Sequence, residues 1–394
     1  MKEKGFSLAE LLVAMALFLV LLVPIMSFLN AGRAARSTSI RLTEVEHNVR
    51  AALQSIGRDI QNAGYGLAPT IPVGSSDILR LLTHTGIASP YQVTPIIPGN
   101  NLNRVDTEGA TPTATSNLTD QITLLYADPT FNFGMPVSGN VGGSNSSRTF
   151  TPMTPIPAAF NTLVPGDLVV LAMGTEVAMG YVSTNTGSVI NFSSGDPFNL
   201  NQPGSGPIST IAALPQQPGQ VSLYKLVMIT YYLDRNGNLI RRERIPPPHT
   251  NFDNLHTNVT TLSPASIDLP SQHSYTCRST GTPPVDGTCY FDNIIATGIE
   301  NLQFTYYLHV PQTGLTAGPL DDPSPRAVTP STFPGRLLDI RQVNVSITAR
   351  ASEKDARLKD RFSTTTFRRG YLYRFSANAT FNTRNFYGSD FRPN

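Results

Sequence analysis

The chain changes texture sharply near residue 30. From Leu11 to Leu29 every one of 19 positions is uncharged, a run long enough to cross the hydrocarbon core of a bilayer as a helix. Beyond Asn30 polar residues appear, but apolar ones persist at Ala35, Leu42, Val45, Val49, Leu53, Ile56, Ile60 and Ala63. From Leu42 onward the steps are threes and fours, which places these side chains on one helical face. One helix is therefore predicted over residues 6–63, apolar all round over 6–29 and amphipathic over 30–63. Gly64, Tyr65 and Gly66 supply the stop, with Gly64 placed for a left-handed cap. Pro24 lacks an amide donor and crowds the carbonyl of Val20, so a kink or a loosened turn is expected there.

From Leu67 onward short apolar runs alternate with Gly, Pro, Ser, Thr and Asn. Runs enriched in β-branched and aromatic residues predict strands at Ile78 to Leu82, Ile122 to Tyr126, Leu168 to Met173, Val177 to Val182 and Val221 to Leu233. Further runs follow at Leu239 to Ile245, Ile299 to Val310, Ile340 to Ala349 and Tyr371 to Phe381. Val343, Val345, Ile347 and Ala349 alternate with Asn344, Ser346, Thr348 and Arg350, the period of a half-buried strand. Asn236 and Gly237 lie between two such runs and predict a hairpin, since that pair accepts the positive φ its turn demands. No second helical period competes. Stretches rich in turn formers, Pro98 to Asn117, Phe131 to Pro157, Ser193 to Gln217 and Pro311 to Pro334, read as loops over a β scaffold. Residues 64–394 thus form an antiparallel β-rich head, with two subdomains dividing near Gln217 as the expected arrangement for its length.

Composition narrows the function. Lys plus Arg number 29 and Asp plus Glu 27, a net charge of +2, and charged residues are only 14% of the chain; a broad nucleic-acid footprint does not fit that balance. Arg241, Arg242 and Arg244, with Glu243 among them, read as a solvated strand face or a subunit contact. Two cysteines cannot build a four-thiolate metal site. The six histidines are scattered without the pairs that predispose to a metal, and Asp234, Asn236 and Asn238 fail as a calcium loop because Gly237 stands fourth rather than sixth. Neither a nucleophile elbow nor a phosphate-binding glycine loop is present. The expectation is a protein that is not an enzyme, with no catalytic residue, metal, cofactor or small-molecule substrate.

Glu10 stands at the edge of the apolar segment. It either sits near the headgroups and complements the helix dipole, or it is an intramembrane acid that needs a partner. Lys2, Lys4 and the α-amine balance Arg33, Arg36 and Arg41 across the segment, so charge alone does not orient it.

The leader Met1 to Gly5, followed by Phe6, Ser7, Leu8 and Glu10 and then the apolar run, resembles the signal of type IV prepilins and of type II secretion pseudopilins. The resemblance implies a type IV pilin-like α+β fold with a leader over residues 1–5. It also implies cleavage between Gly5 and Phe6 by a prepilin peptidase, N-methylation of Phe6, and pairing of Glu10 with the Phe6 amine of a neighbouring subunit. The implied partners are that peptidase, the inner membrane and other major and minor pilins. The chain would be a single-pass inner-membrane protein with its head in the periplasm, and would move to the pilus at the cell surface on assembly. Gly166 to Leu171, Thr230 to Glu243, Ile299 to Leu308, Ile340 to Ala351 and Thr383 to Asn385 further resemble, in order and spacing, the PilW family of minor pilins. The J-type pseudopilin is the related alternative, and a membrane-tethered adhesin the unrelated one. A head beyond the inner membrane meets an oxidising compartment, where Cys277 and Cys289, which enclose eleven residues, are expected to form a local disulfide.

Overall fold

The computed structural model describes residues 8–74, 92–105, 118–196, 198–245, 273–277, 289–310, 314–315, 340–351 and 374–383. Its N-terminal element is a single helix, α1 (Leu8–Asn62), continuous across Pro24. The helix stops where the glycines predict. Ala63 N–H still bonds back to the Asp59 carbonyl, but Gly64 turns to φ 78° and donates instead to the Leu125 carbonyl of the head.

Packing divides the helix in two. Exposed residues fill its first part, including Ala35 and Leu42 of the predicted stripe. Burial begins at Val45 and continues through Val49, Ala52, Ile56, Ile60 and Ala63, one residue per turn on a single face. Among the described residues, only this last third is held by the head.

The strands pair antiparallel throughout the described residues. In chain order they are β1 (Ile71–Pro72), β2 (Gln92–Val93), β3 (Ile96–Arg104), β4 (Leu118–Ala127), β5 (Val137–Gly143), β6 (Ser147–Pro152), β7 (Leu168–Met173), β8 (Glu176–Tyr181), β9 (Thr184–Asn185) and β10 (Ile190–Ser193). A short helix α2 (Pro207–Ala213) precedes β11 (Val221–Leu233) and β12 (Leu239–Ile245). Then come β13 (His273–Cys277), β14 (Cys289–Ala296), β15 (Ile299–Val310), β16 (Gly314–Leu315), β17 (Ile340–Arg350) and β18 (Arg374–Asn382). An apolar helix followed by a large antiparallel β-rich domain is the resulting architecture.

Strand β11 organises the head. Its first half pairs with β5 and β7, and its second half with β4 and β12. Residues 128–220 are therefore an excursion between two neighbouring strands, and this excursion plus the start of β11 encloses its own core around Phe150, Phe160, Phe192 and Leu223. The second half of β11 joins a different core, which receives α1 and the sheet of β15, β17 and β18. The expected division near Gln217 falls just before this shared strand.

Several expectations need correction. Phe131 to Pro157 and Ser193 to Gln217 are not plain surface loops: the first contains β5 and β6, and the second contains α2 and buries Phe198, Leu200 and Ile211. The latter segment is organised by polar side chains. Asp196 accepts the amides of Phe198, Leu200 and Asn201, while the Asn201 side chain bonds both the N–H and the carbonyl of Tyr181. Ile78 to Leu82 lies outside the described residues. The hairpin forms as predicted, with Leu233 opposite Leu239, and Asp234 accepts both the backbone and the side-chain N–H of Asn238. Gly237 has φ 78° and gives its carbonyl to Ile299 N–H; a Cβ there would lie 2.6 Å from the Ile299 carbonyl oxygen.

Candidate functional site

Two stretches of α1 do different work. Leu11–Arg33 has a mean hydropathy of 2.8 and, among the described residues, none of it is buried. Exposed apolar area on that scale is stable only against lipid or other apolar helices, because water would oppose it at roughly 25 cal/mol per Å². The exposed span and the head are joined by the last five turns of the same helix, so whatever covers the span is rigidly connected to the head.

The joint is polar at its centre. Asp59, 1% exposed, lies on the buried face between Ile56 and Ile60. It accepts Arg241 Nε at 2.8 Å and the Tyr231 hydroxyl at 2.8 Å, and Tyr126 approaches its other oxygen at 3.5 Å. Ser55 shares a 2.8 Å hydrogen bond with the same Tyr231 hydroxyl, and Arg241 reaches on to Glu243 at 2.9 Å. Burial, and then the Asp59 carboxylate, push the Tyr231 and Tyr126 hydroxyls above the ordinary phenol range. Burial works against the charge on Arg241, but Asp59 outweighs it and the guanidinium pKa is raised. The cluster thus holds a charged pair and neutral phenols, which suits a fixed joint rather than proton transfer. Beside it Gly57 gives the Phe381 ring room to lie on the helix: a Cβ there would stand 2.1 Å from the ring.

The basic cluster on β12 is corrected accordingly, for it is not a solvated face. Arg241 grips Asp59. Arg242 makes a two-pronged pair with Asp292 between the rings of Tyr232 and Tyr290, 5.0 and 4.9 Å from its guanidinium carbon. Arg244 is buried, donates to the Gly166 carbonyl at 2.8 Å and lies over Phe198 at 5.1 Å; burial lowers its pKa. Each side chain is consumed within the fold.

Of the residues singled out from sequence, Gly5 and Phe6 lie outside the described residues. Glu10 falls in the first turn of α1, two residues after Leu8. Cys277 and Cys289 are brought together as opposed positions, the terminal pair of β13 and β14. Sequence reasoning missed Asp59 and Gly57. The signal for Asp59 was present, as an acid three residues after Ile56 on an apolar stripe, where an unpartnered carboxylate is not tolerated.

Comparison with known proteins bears on the N-terminus alone. Residues 1–26 match the family model described as the prokaryotic N-terminal methylation motif. No curated protein and no solved structure matches the chain. The matched stretch and the exposed apolar span that overlaps it identify the N-terminus as a type IV pilin-like prepilin leader, the mark of a prepilin-peptidase substrate of the pilin or pseudopilin type.

Proposed function

We propose that the chain is a minor pilin of a type IV pilus, PilW-like, and acts in assembly initiation or at the filament tip rather than as an enzyme. The observation that carries this reading is the conjunction of a methylation motif over residues 1–26 with an unburied apolar span welded to a large β head. Hydrolysis of the Gly5–Phe6 bond frees the Phe6 amine for methylation and removes Lys2 and Lys4. The apolar span then leaves lipid for neighbouring helices of equal hydrophobicity, an exchange driven by packing rather than by water. In that environment Glu10 needs a cation, and the methylated amine of the next subunit supplies one, fixing axial register. The head lies in the periplasm before assembly and at the cell surface afterwards. Roughly 330 residues follow the helix, and a head that bulky fits a position used once better than a closely repeating shaft.

Glu10→Ala tests the assembly role. Leaving the partner amine buried and unpaired costs about 3–5 kcal/mol, so incorporation into filaments should fall at least about a hundredfold, with membrane abundance unchanged. Undiminished incorporation, or surface function retained without any filament, would favour a membrane-tethered binding domain. Co-assembly with a secretion pseudopilus instead of a pilus would assign the J-type role.

A further inference from the structure

We infer that the end of the head beside the C-terminus of α1 carries a docking knob, Phe133, for an apolar, uncharged recess on another protein subunit of the same assembly. Outside α1, seven large apolar side chains are exposed among the described residues, and five of them, Tyr65, Phe133, Met135, Met153 and Ile156, lie at this one end. The Tyr65 hydroxyl donates to the Gly134 carbonyl at 3.3 Å. Met153 extends the pairing of β5 and β6 by donating its amide to the Ser138 carbonyl at 2.9 Å, and the turn Ala158–Thr162 that follows Ile156 packs on the turn Phe131–Gly134. Apolar exposure scattered singly needs no explanation, whereas a cluster of this kind marks a contact surface.

The chain works against its backbone preference to place Phe133 there. Asn132, Phe133 and Gly134 have φ 48°, 58° and 78°. Asparagine and glycine adopt that left-handed region readily, but a bulky ring there is an outlier. Among the described residues, the other non-glycine positions with positive φ, Asn101, Asn132 and Asn199, are all asparagine. The strain persists because the turn is fixed from both sides. Asp128 accepts the Thr130 amide at 2.8 Å, Phe131 is buried, and the Asn132 side chain donates to the Met135 and Pro136 carbonyls, each at 3.2 Å. The outcome is a Phe133 ring 91% exposed on a rigid turn. Neither the core nor solvation gains from that ring, so its benefit lies outside the chain.

Charge selects the occupant. From Pro129 to Pro165 the sequence holds one charged residue, Arg148, and its guanidinium donates to the Pro203 carbonyl at 2.9 Å and to the Ser209 hydroxyl at 3.0 Å. Nucleic acid or an anionic surface would require cations beside the ring, and a loop seated at a membrane interface draws on tryptophan, of which the chain has none. Aromatic and methionine side chains at a centre depleted of charge are the composition of a protein–protein interface core, and methionine adapts to the shape of its partner. Exposed Thr151, Asn161 and Thr162 supply an uncharged polar border.

The helix says which subunit this is. Its C-terminal end lies roughly 45 Å beyond Arg33 along the axis at about 1.5 Å per residue. A span that leaves lipid to join helices already assembled enters beneath them. On the pilin reading, on which this inference rests, the C-terminal end of α1 therefore meets a subunit assembled earlier, and a position used once leaves no second copy to fill that place. One further subunit caps this chain at the tip.

Stability and assembly should respond to Phe133 in opposite ways. In the full-length protein in detergent, Phe133→Gly should unfold at or above the wild-type temperature, because glycine relieves the left-handed strain; a lower midpoint would make the ring structural and overturn the inference. In cells, Phe133→Asp, a residue that tolerates this backbone, should reduce incorporation into filaments at least about thirtyfold at unchanged membrane abundance, the effect expected of a central anchor. A photoreactive p-benzoyl-phenylalanine in place of Phe133 should join the chain to a different protein that has its own methylation-motif N-terminus. An adduct with lipid overturns the inference in favour of a membrane contact, and one with a second copy in favour of self-association. Wild-type incorporation of Phe133→Asp, or no adduct in assembled filaments, overturns it outright. The two readings fail separately: incorporation lost in Glu10→Ala but retained in Phe133→Asp sinks this one alone, whereas a motif-bearing adduct in cells whose Glu10→Ala protein assembles normally sinks only the assembly role of Glu10.

Discussion

Asp59→Ala should destabilise the head by at least about 3 kcal/mol, the range measured when one partner of a buried ion pair is removed. The carboxylate receives Arg241 and Tyr231 at 2.8 Å each, from β12 and β11. Deleting it leaves a buried guanidinium with Glu243 alone and a phenol with only Ser55 as partner. Asp59→Asn keeps the shape and one acceptor and should lose roughly half as much. Thermal unfolding of the detergent-solubilised protein measures both. The same change should loosen α1 from the head, so hydrogen exchange at Val49 to Ile60 should rise in Asp59→Ala well before global unfolding. A midpoint within a degree of the wild type would show that apolar packing alone holds the helix and that the buried acid is incidental.

The second large effect concerns Cys277 and Cys289. They are the terminal opposed pair of β13 and β14, and opposed residues of an antiparallel pair have Cα atoms about 4.5–5.5 Å apart, inside the range a disulfide spans. We therefore propose that the two thiols are oxidised to a disulfide in the mature head. Closing a loop of this length is worth about 3 kcal/mol in the chain-entropy account. Cys277→Ser, Cys289→Ser should lower the unfolding midpoint by several degrees, and reductant should lower that of the wild type to match while leaving the variant unmoved. The proposal fails if the denatured, unreduced protein takes up two equivalents of an alkylating reagent.

Much of this architecture is legible in the sequence because its periodicities are local. The three-and-four spacing over Leu42 to Ala63 and the Gly64 stop define α1, and simple alternation in Val343 to Ala349 defines β17. The hairpin was legible from Asn236 and Gly237. Other elements escape for identifiable reasons. In β5 and β6 the sequence is dominated by Gly, Ser, Asn and Thr, and the strand forms because Gly139 admits the Phe150 ring: a Cβ there would lie 2.5 Å from it. The buried segment around Phe198 depends on Asp196 and Asn201, whose side chains satisfy the backbone that a surface loop would leave to water. The role of Arg241 was invisible because its partner lies 182 positions away, and a run of three arginines read alone looks solvated. The assembly residues behaved differently again. On the proposed reading Gly5, Phe6 and Glu10 are readable only as a motif, since their chemistry would belong to a peptidase and to a neighbouring subunit.

The mass and N-terminal residue of the protein extracted from membranes, with and without the prepilin peptidase, test the central claim most directly. The account predicts a chain that begins at N-methylated Phe6 when the peptidase is present and at Met1 when it is absent. An intact Met1 in both, or a cut beyond the apolar span, would contradict it and leave a tethered or secreted β-rich protein.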